Sequence, residues 1–170
     1  MEPLDDLKLG ATDQSVYPEN AADHRQLVLA MARQARRTLH IHSRELDPAV
    51  YDDEEVQETF RDFLLRNRNC RITILVQNTD RMVKQGHALA RLADKLPDRM
   101  LIRLPDEQHK EFGSAFFVAD VTGYIRQPVA ERYSAEANFS ASFDARKLVK
   151  YFDEVWEHAV PDPQLRRLHL

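Results

Sequence analysis

Histidine is the residue type in this chain with most to offer chemistry, and seven are present in 170 residues. His40 and His42 stand two apart in the run Thr38 to Ser43 (TLHIHS), where Leu39 and Ile41 alternate with them. Such alternation reads as a strand, which projects both rings to one face about 7 Å apart at the backbone. His-x-His on a strand is one way to hold a metal ion, with a third ligand drawn from Glu45, Asp47, His87 or His109. Nothing in the spacing selects one of these. Two neutral rings packed under a helix give the same pattern, so neither a metal nor a cofactor is expected.

His109 and Glu111 lie in the polar stretch Pro105 to Gly113 (PDEQHKEFG). A histidine beside a carboxylate can act as a general base with its orienter. Asp106, Glu107 and Lys110 share the stretch, so a solvated charged loop would look alike. Other chemistry is sparse. There is no Gly-x-Ser-x-Gly elbow and no phosphate-binding or dinucleotide-binding glycine loop, and the chain has only four glycines. Cys70 is the single cysteine, which excludes an internal disulfide and a cysteine-based zinc site. It precedes an apolar run, where a buried inert thiol is expected. Phe152 and Trp156, four apart, read as core.

The elements that must position these residues follow from periodicity. Residues 1–18 are broken by Pro3, Gly10 and Pro18 and read as an irregular arm. Asn20 caps a helix with Leu27, Met31 and Ala35 on its stripe. After the TLHIHS strand, Asp52 and Asp53 open a second helix with Val56, Phe60, Phe63 and Leu64 buried. Arg71 to Val76 (RITILV) has the near-continuous β-branched character of a strand covered on both faces. A third helix is expected from about Arg81 to Lys95, stopped by Pro97, and Met100 to Leu104 is a third strand. Ala115 to Ala119 and Tyr124 to Gln127 form a hairpin, 128–143 is irregular, and a last helix runs from an Asp144 cap to about His158.

The order, α-β-α-β-α-β-β-β-α with one of the late strands short or absent, predicts an α/β fold. Its mixed sheet has a parallel core and a late β-hairpin, with helices on both faces. One domain spans 19–160, flanked by the arm 1–18 and a tail 161–170. In such sheets ligands gather at the carboxyl ends of the parallel strands, here Ser43, Arg44 and Gln77 to Thr79. Net charge is −4, unevenly spread: residues 1–60 carry −7, residues 61–110 carry +5 and the remainder −2. The basic segment could face a phosphate-bearing partner, although no aromatic residues interleave it as single-strand binding favours. No apolar run is long enough for a membrane span and the acidic start is not a signal peptide. A cytoplasmic location with no membrane partner is expected.

The element order, the hairpin after a histidine-bearing loop and the Phe152-to-Trp156 pattern resemble one half of the phospholipase D superfamily, over about residues 19–159. That resemblance implies a His-x-Lys-x(4)-Asp motif on the hairpin. In it the histidine attacks phosphorus, the lysine neutralises the phosphate and the aspartate supports the site. Two such motifs, from one chain or a homodimer, build one active site. Phe116 to Asp120 matches the strand and its aspartate, whereas the lysine position holds Ala115 and the histidine position holds Gly113. Ala137-Asn138-Phe139-Ser140 is similar to the Ser-x-Asn stretch that follows the motif, displaced downstream. The chain also resembles small bacterial proteins with a degenerate form of this fold.

The resemblance therefore implies a scaffold without standard phosphodiesterase chemistry. The expectation is a non-catalytic binding or regulatory module for an anionic ligand or a protein partner, met near Ser43, Arg44, His109 and Arg126. A homodimer is plausible by analogy, and nucleic acid stays open as a partner. The alternative is a homodimeric phosphodiesterase or nuclease with His109 as a displaced nucleophile. Lys110 or Arg126 would then balance the phosphate, and Asp120 would support the site.

Overall fold

The structure, a computed structural model, describes residues 3–110, 113–130, 132 and 134–167. Asn20 accepts from the Asp23 amide at 2.8 Å and opens α1 (Ala21–Gln34). Strand β2 (Thr38–Ser43) follows, then a short α2 (Pro48–Tyr51) capped by Asp47. Asp53 caps α3 (Glu54–Arg66), which leads to β3 (Arg71–Val76). The remaining strands are β4 (Met100–Arg103), β5 (Ala115–Ala119), β6 (Gly123–Gln127) and β7 (Glu136–Asn138). Strand β1 (Ser15–Val16) is a two-residue piece within the segment expected to be irregular.

Three expectations change. The helix expected from Arg81 to Lys95 is two, α4 (Asp80–Gln85) and α5 (Ala88–Lys95). Gly86, at φ 76, stops α4 in a conformation that other residues rarely adopt, and the His87 ring restarts the helix by accepting from the Leu89 amide at 3.1 Å. The irregular stretch 128–143 holds β7. Helix α6 (Ser142–Trp156) starts at Ala141 rather than Asp144, because the Ala141 amide is already held by the Thr122 carbonyl at 2.9 Å. Asp144 sits in the first turn, where the helix dipole favours its charge. The last described element is α7 (Pro163–Arg167).

One mixed sheet runs β1-β7-β6-β5-β2-β3-β4, with β2, β3 and β4 parallel and the other pairings antiparallel. Register sorts its side chains into two faces. Val16, Ala137, Ile125, Phe117, Ile41, Ile74 and Ile102 line up across all seven strands on one face, under α1, α3 and α5. The row beside it on the other face reads Arg103, Leu75, His42, Phe116, Arg126 and Glu136. Helix α6 covers that face with Ala145, Phe152 and Val155. This is the α/β architecture expected, with helices on both faces.

The β5–β6 turn is held by its aspartate. Asp120 and Val121 both have positive φ (54 and 52), the twist that a tight hairpin requires, although neither is glycine. The Asp120 carboxylate offsets that strain by accepting the amides of Arg36 (2.9 Å), Arg37 (2.7 Å) and Thr38 (3.1 Å). Gly123 is closely packed: a Cβ would fall 2.6 Å from Leu9 Cδ1, which would have to move, and 3.2 Å from the Asn138 carbonyl. No helix among the described residues is long and apolar enough to cross a membrane.

Candidate functional site

His40 and His42 project to one face, as the alternation requires, and that face is the one under α6. The His42 ring stacks on Phe116 (centroids 5.1 Å apart, 11° between planes) and meets the edge of Tyr151 at 5.8 Å. His40 packs edge-on against Phe152 at 5.0 Å. Burial lowers the pKa of each to about 4, offset in part for His42 by a hydrogen bond with the Ser114 backbone. Both rings are therefore neutral near pH 7. His40 Nδ1 is buried without a hydrogen-bond partner.

The candidate third ligands are committed elsewhere. Glu45 faces Arg81 at 3.8 Å, Asp47 caps α2, and His87 uses both nitrogens, one on the Leu89 amide and one on the Leu46 carbonyl at 2.9 Å. Among the described residues no three metal-ligating side chains gather.

His109 ends a single 3-10 turn, Glu107–His109, between β4 and β5. Its orienting carboxylate is Asp106, hydrogen-bonded to Nδ1; Glu111, the expected partner, lies outside the described residues. The His109 hydrogen bond is the main reason that the Asp106 carboxyl sits below its ordinary pKa. The far side of the ring rests against Tyr151, with centroids 6.5 Å apart, and burial pushes that phenol up. Tyr151 thus touches both His42 and His109. Its position three residues after Leu148, on the α6 stripe, is the sequence signal for it.

The displaced-nucleophile trio does not assemble. Lys110 turns to Glu107 (2.8 Å) rather than toward a phosphate that His109 could attack. Asp120 stands at the opposite end of β5 from Ala115, about 17 Å away along the strand. There its carboxylate serves backbone amides. Ala115 alternates with Phe116 and so belongs to the face of Phe117, while His109 lies against α6 on the other face.

The strand-end residues also divide. The Ser43 hydroxyl accepts from the Leu46 amide at 2.9 Å and holds a tight loop in which Leu46 has φ 54. Ser43 shares the face of Ile41, whereas Arg126 is exposed on the face of His42 and Arg44 is exposed in the loop from β2 to α2. On the same row as His42, the Arg103 guanidinium lies over the Trp156 ring at 4.3 Å. Arg103 also borders a cavity of about 480 Å³ between α5, β4 and α7, lined by Ala93, Met100, Ile102 and Leu165, away from the histidines.

A parallel three-stranded core extended by an antiparallel hairpin, closed by one helix over a histidine-bearing face, is a phospholipase D-like fold, and comparison with solved structures agrees. Nuc from Salmonella typhimurium, described as a phospholipase D family member, superposes with a TM-score of 0.60 over 88% of this chain and 96% of that one, at 11% identity. NucT from Helicobacter pylori gives 0.56 over 88% and 99%, at 9% identity. TrmBL2, described as an archaeal chromatin protein with a novel mode of DNA binding, gives 0.64 at 12% identity over 89% of this chain, which spans 55% of that one. The chain belongs to the family described as Domain of unknown function (DUF7931), whose model matches residues 20–168. No curated protein matches it.

Proposed function

We propose that this chain is a non-catalytic phospholipase D-like domain that works as a binding or regulatory module, taking an anionic ligand or partner at the carboxyl ends of its parallel strands. The motif positions on β5 carry this reading. The nucleophile position is Gly113 and the phosphate-clamp position is Ala115, while the one residue kept, Asp120, is engaged by three backbone amides. What remains of the motif holds the fold together and has no part left for chemistry. Arg44 and Arg126 supply exposed positive charge at the strand ends. A binding role also agrees with TrmBL2, a protein of the same fold described as binding DNA.

A second reading, a phosphodiesterase acting through His109, is favoured by one observation: Asp106 orients the imidazole as a base or nucleophile requires. Hydrolysis of bis-(p-nitrophenyl) phosphate in EDTA separates the two. The binding module predicts no turnover by wild type or by His109→Ala. Turnover by wild type that His109→Ala abolishes would overturn it. Titration with pyrophosphate then tests the ligand class, with Arg44→Glu and Arg126→Glu each weakening capture at least fivefold in a protein that stays folded. A second copy of the chain is one candidate partner, and sedimentation velocity reads that directly.

A further inference from the structure

Three loops enter the parallel strands side by side at the end of the sheet far from His109: 35–37 before β2, 67–70 before β3 and 96–99 before β4. Backbone bonds tie them together. The Arg71 amide donates to the Arg37 carbonyl at 3.1 Å, the Ile72 amide to the Arg99 carbonyl at 3.0 Å, and the Cys70 thiol to the Arg36 carbonyl at 3.2 Å. Six arginines stand in or beside these loops: Arg36, Arg37, Arg66, Arg68, Arg71 and Arg99. Within the three loops the carboxylate is Asp98, and Asp120, from the β5–β6 turn, is engaged by the amides of 36–38.

Holding this end together occupies three of the six. Arg66 donates to the Ala32 (3.1 Å) and Ala35 (2.7 Å) carbonyls at the end of α1, Arg71 to the Cys70 carbonyl (2.8 Å), and Arg99 to the Asn67 carbonyl. Arg36, Arg37 and Arg68 are exposed, and their side chains make no hydrogen bond or ion pair among the described residues. The carboxyl ends of α1, α3 and α5 point here as well, each worth about half a negative charge. Within the loops themselves Arg36, Arg37, Arg68 and Arg99 stand against the carboxylate of Asp98, a local excess of positive charge that the helix ends reduce without cancelling. Fold maintenance accounts for half of the six arginines and leaves the others unexplained.

We propose that this end of the sheet, through Arg36, Arg37 and Arg68, docks on the phosphate backbone of double-stranded nucleic acid. Planar guanidinium forks match phosphate oxygens, and loops on adjacent strands about 4.8 Å apart spread the charge over successive phosphates. A single strand is disfavoured, because among the described residues the exposed aromatics, Tyr17 and Phe143, belong to other parts of the molecule and give no stacking platform here. A membrane is disfavoured too, because among the described residues Leu65 is the one large exposed apolar side chain nearby. The surface lies at the opposite end from the strand-end site and does not rest on that proposal.

The test is fluorescence anisotropy with a 20-base-pair DNA duplex, a single strand of the same length and phosphatidylglycerol vesicles, each across a salt series. Wild type should bind the duplex most tightly. Arg36→Glu with Arg37→Glu should weaken that binding at least tenfold and flatten the logarithmic salt slope by about two. Arg68→Glu should weaken it about threefold. These changes leave the backbone amides that hold Asp120 in place, and unchanged melting temperatures check the fold. Lys150→Glu, an exposed charge reversal on α6, should have little effect. Tighter binding to the single strand, binding to vesicles alone, no duplex binding at 50 mM salt, or equal losses in the Lys150 and Arg36/Arg37 variants would each overturn the proposal.

Discussion

The two faces of this sheet are built from the same strands, one residue out of step, and hold opposite kinds of side chain. The row through Ile41 and Phe117 is apolar from β1 to β4 and lies under three helices. The row through His42 and Phe116 alternates apolar with ionisable groups and is covered by α6 alone. Stability is concentrated on the first face. The second holds groups whose charge state depends on how well one helix excludes water, and it is the face from which Tyr151 reaches His109.

Four measurements break or sharpen that contrast, the largest effect first. Phe117→Ala empties the centre of the apolar row and should cost about 3–5 kcal/mol in urea unfolding. Phe116→Ala, its neighbour on the other face, should cost about 1–2 kcal/mol less, since its ring packs partly on an imidazole. Equal costs would refute the asymmetry.

The second measurement is pH dependence. His24, His40 and His42 each have a folded pKa of about 4 against 6.5 unfolded, with burial as the first cause. The unfolded chain therefore binds more protons between those values. Stability is full above pH 6.5 and falls toward pH 4 by roughly 1.4 kcal/mol per pH unit for each such histidine. His87, shifted in the same direction, adds to the slope. His42→Phe should remove one histidine's share, and an unchanged slope would show that the α6 face is wetter than its packing implies.

Third, His40→Leu removes the buried Nδ1 that lacks a partner and should stabilise by about 1 kcal/mol. The same exchange gains nothing if water reaches the ring. The smallest effect is expected at the rim: Asp106→Asn should leave the melting temperature nearly unchanged, because the Asp106–His109 pair lies at the partly exposed edge of the structure.

Much of the fold was legible because long-period patterns reported burial directly. RITILV and TLHIHS mark strands at their observed bounds and Asn20 marks a helix start, while of the pair Asp52 and Asp53 expected to open the next helix only Asp53 caps it, Asp52 closing the short α2. The misses were places where distant partners decide. Glu136–Asn138 has no apolar run and becomes a strand only because β6 and β1 flank it. The span Arg81 to Lys95 reads as one helix, and only the left-handed backbone of Gly86 and the His87 cap divide it. At the site, a carboxylate beside His109 was legible, but its identity was not, since a 3-10 turn brings position i−3 to the ring. Which face His109 would join depended on α6, far along the chain.

Strand order also sets a timetable. The earliest described strand in chain order pairs with the latest, Ser15 opposite Asn138, and β2 gains its antiparallel neighbour only when β5 emerges. Until then the edge from Leu39 to His42, in the middle of the finished sheet, is an open hydrogen-bonding rim. A nascent chain paused before residue 115 is therefore at its most adhesive, and completion of the hairpin closes that window.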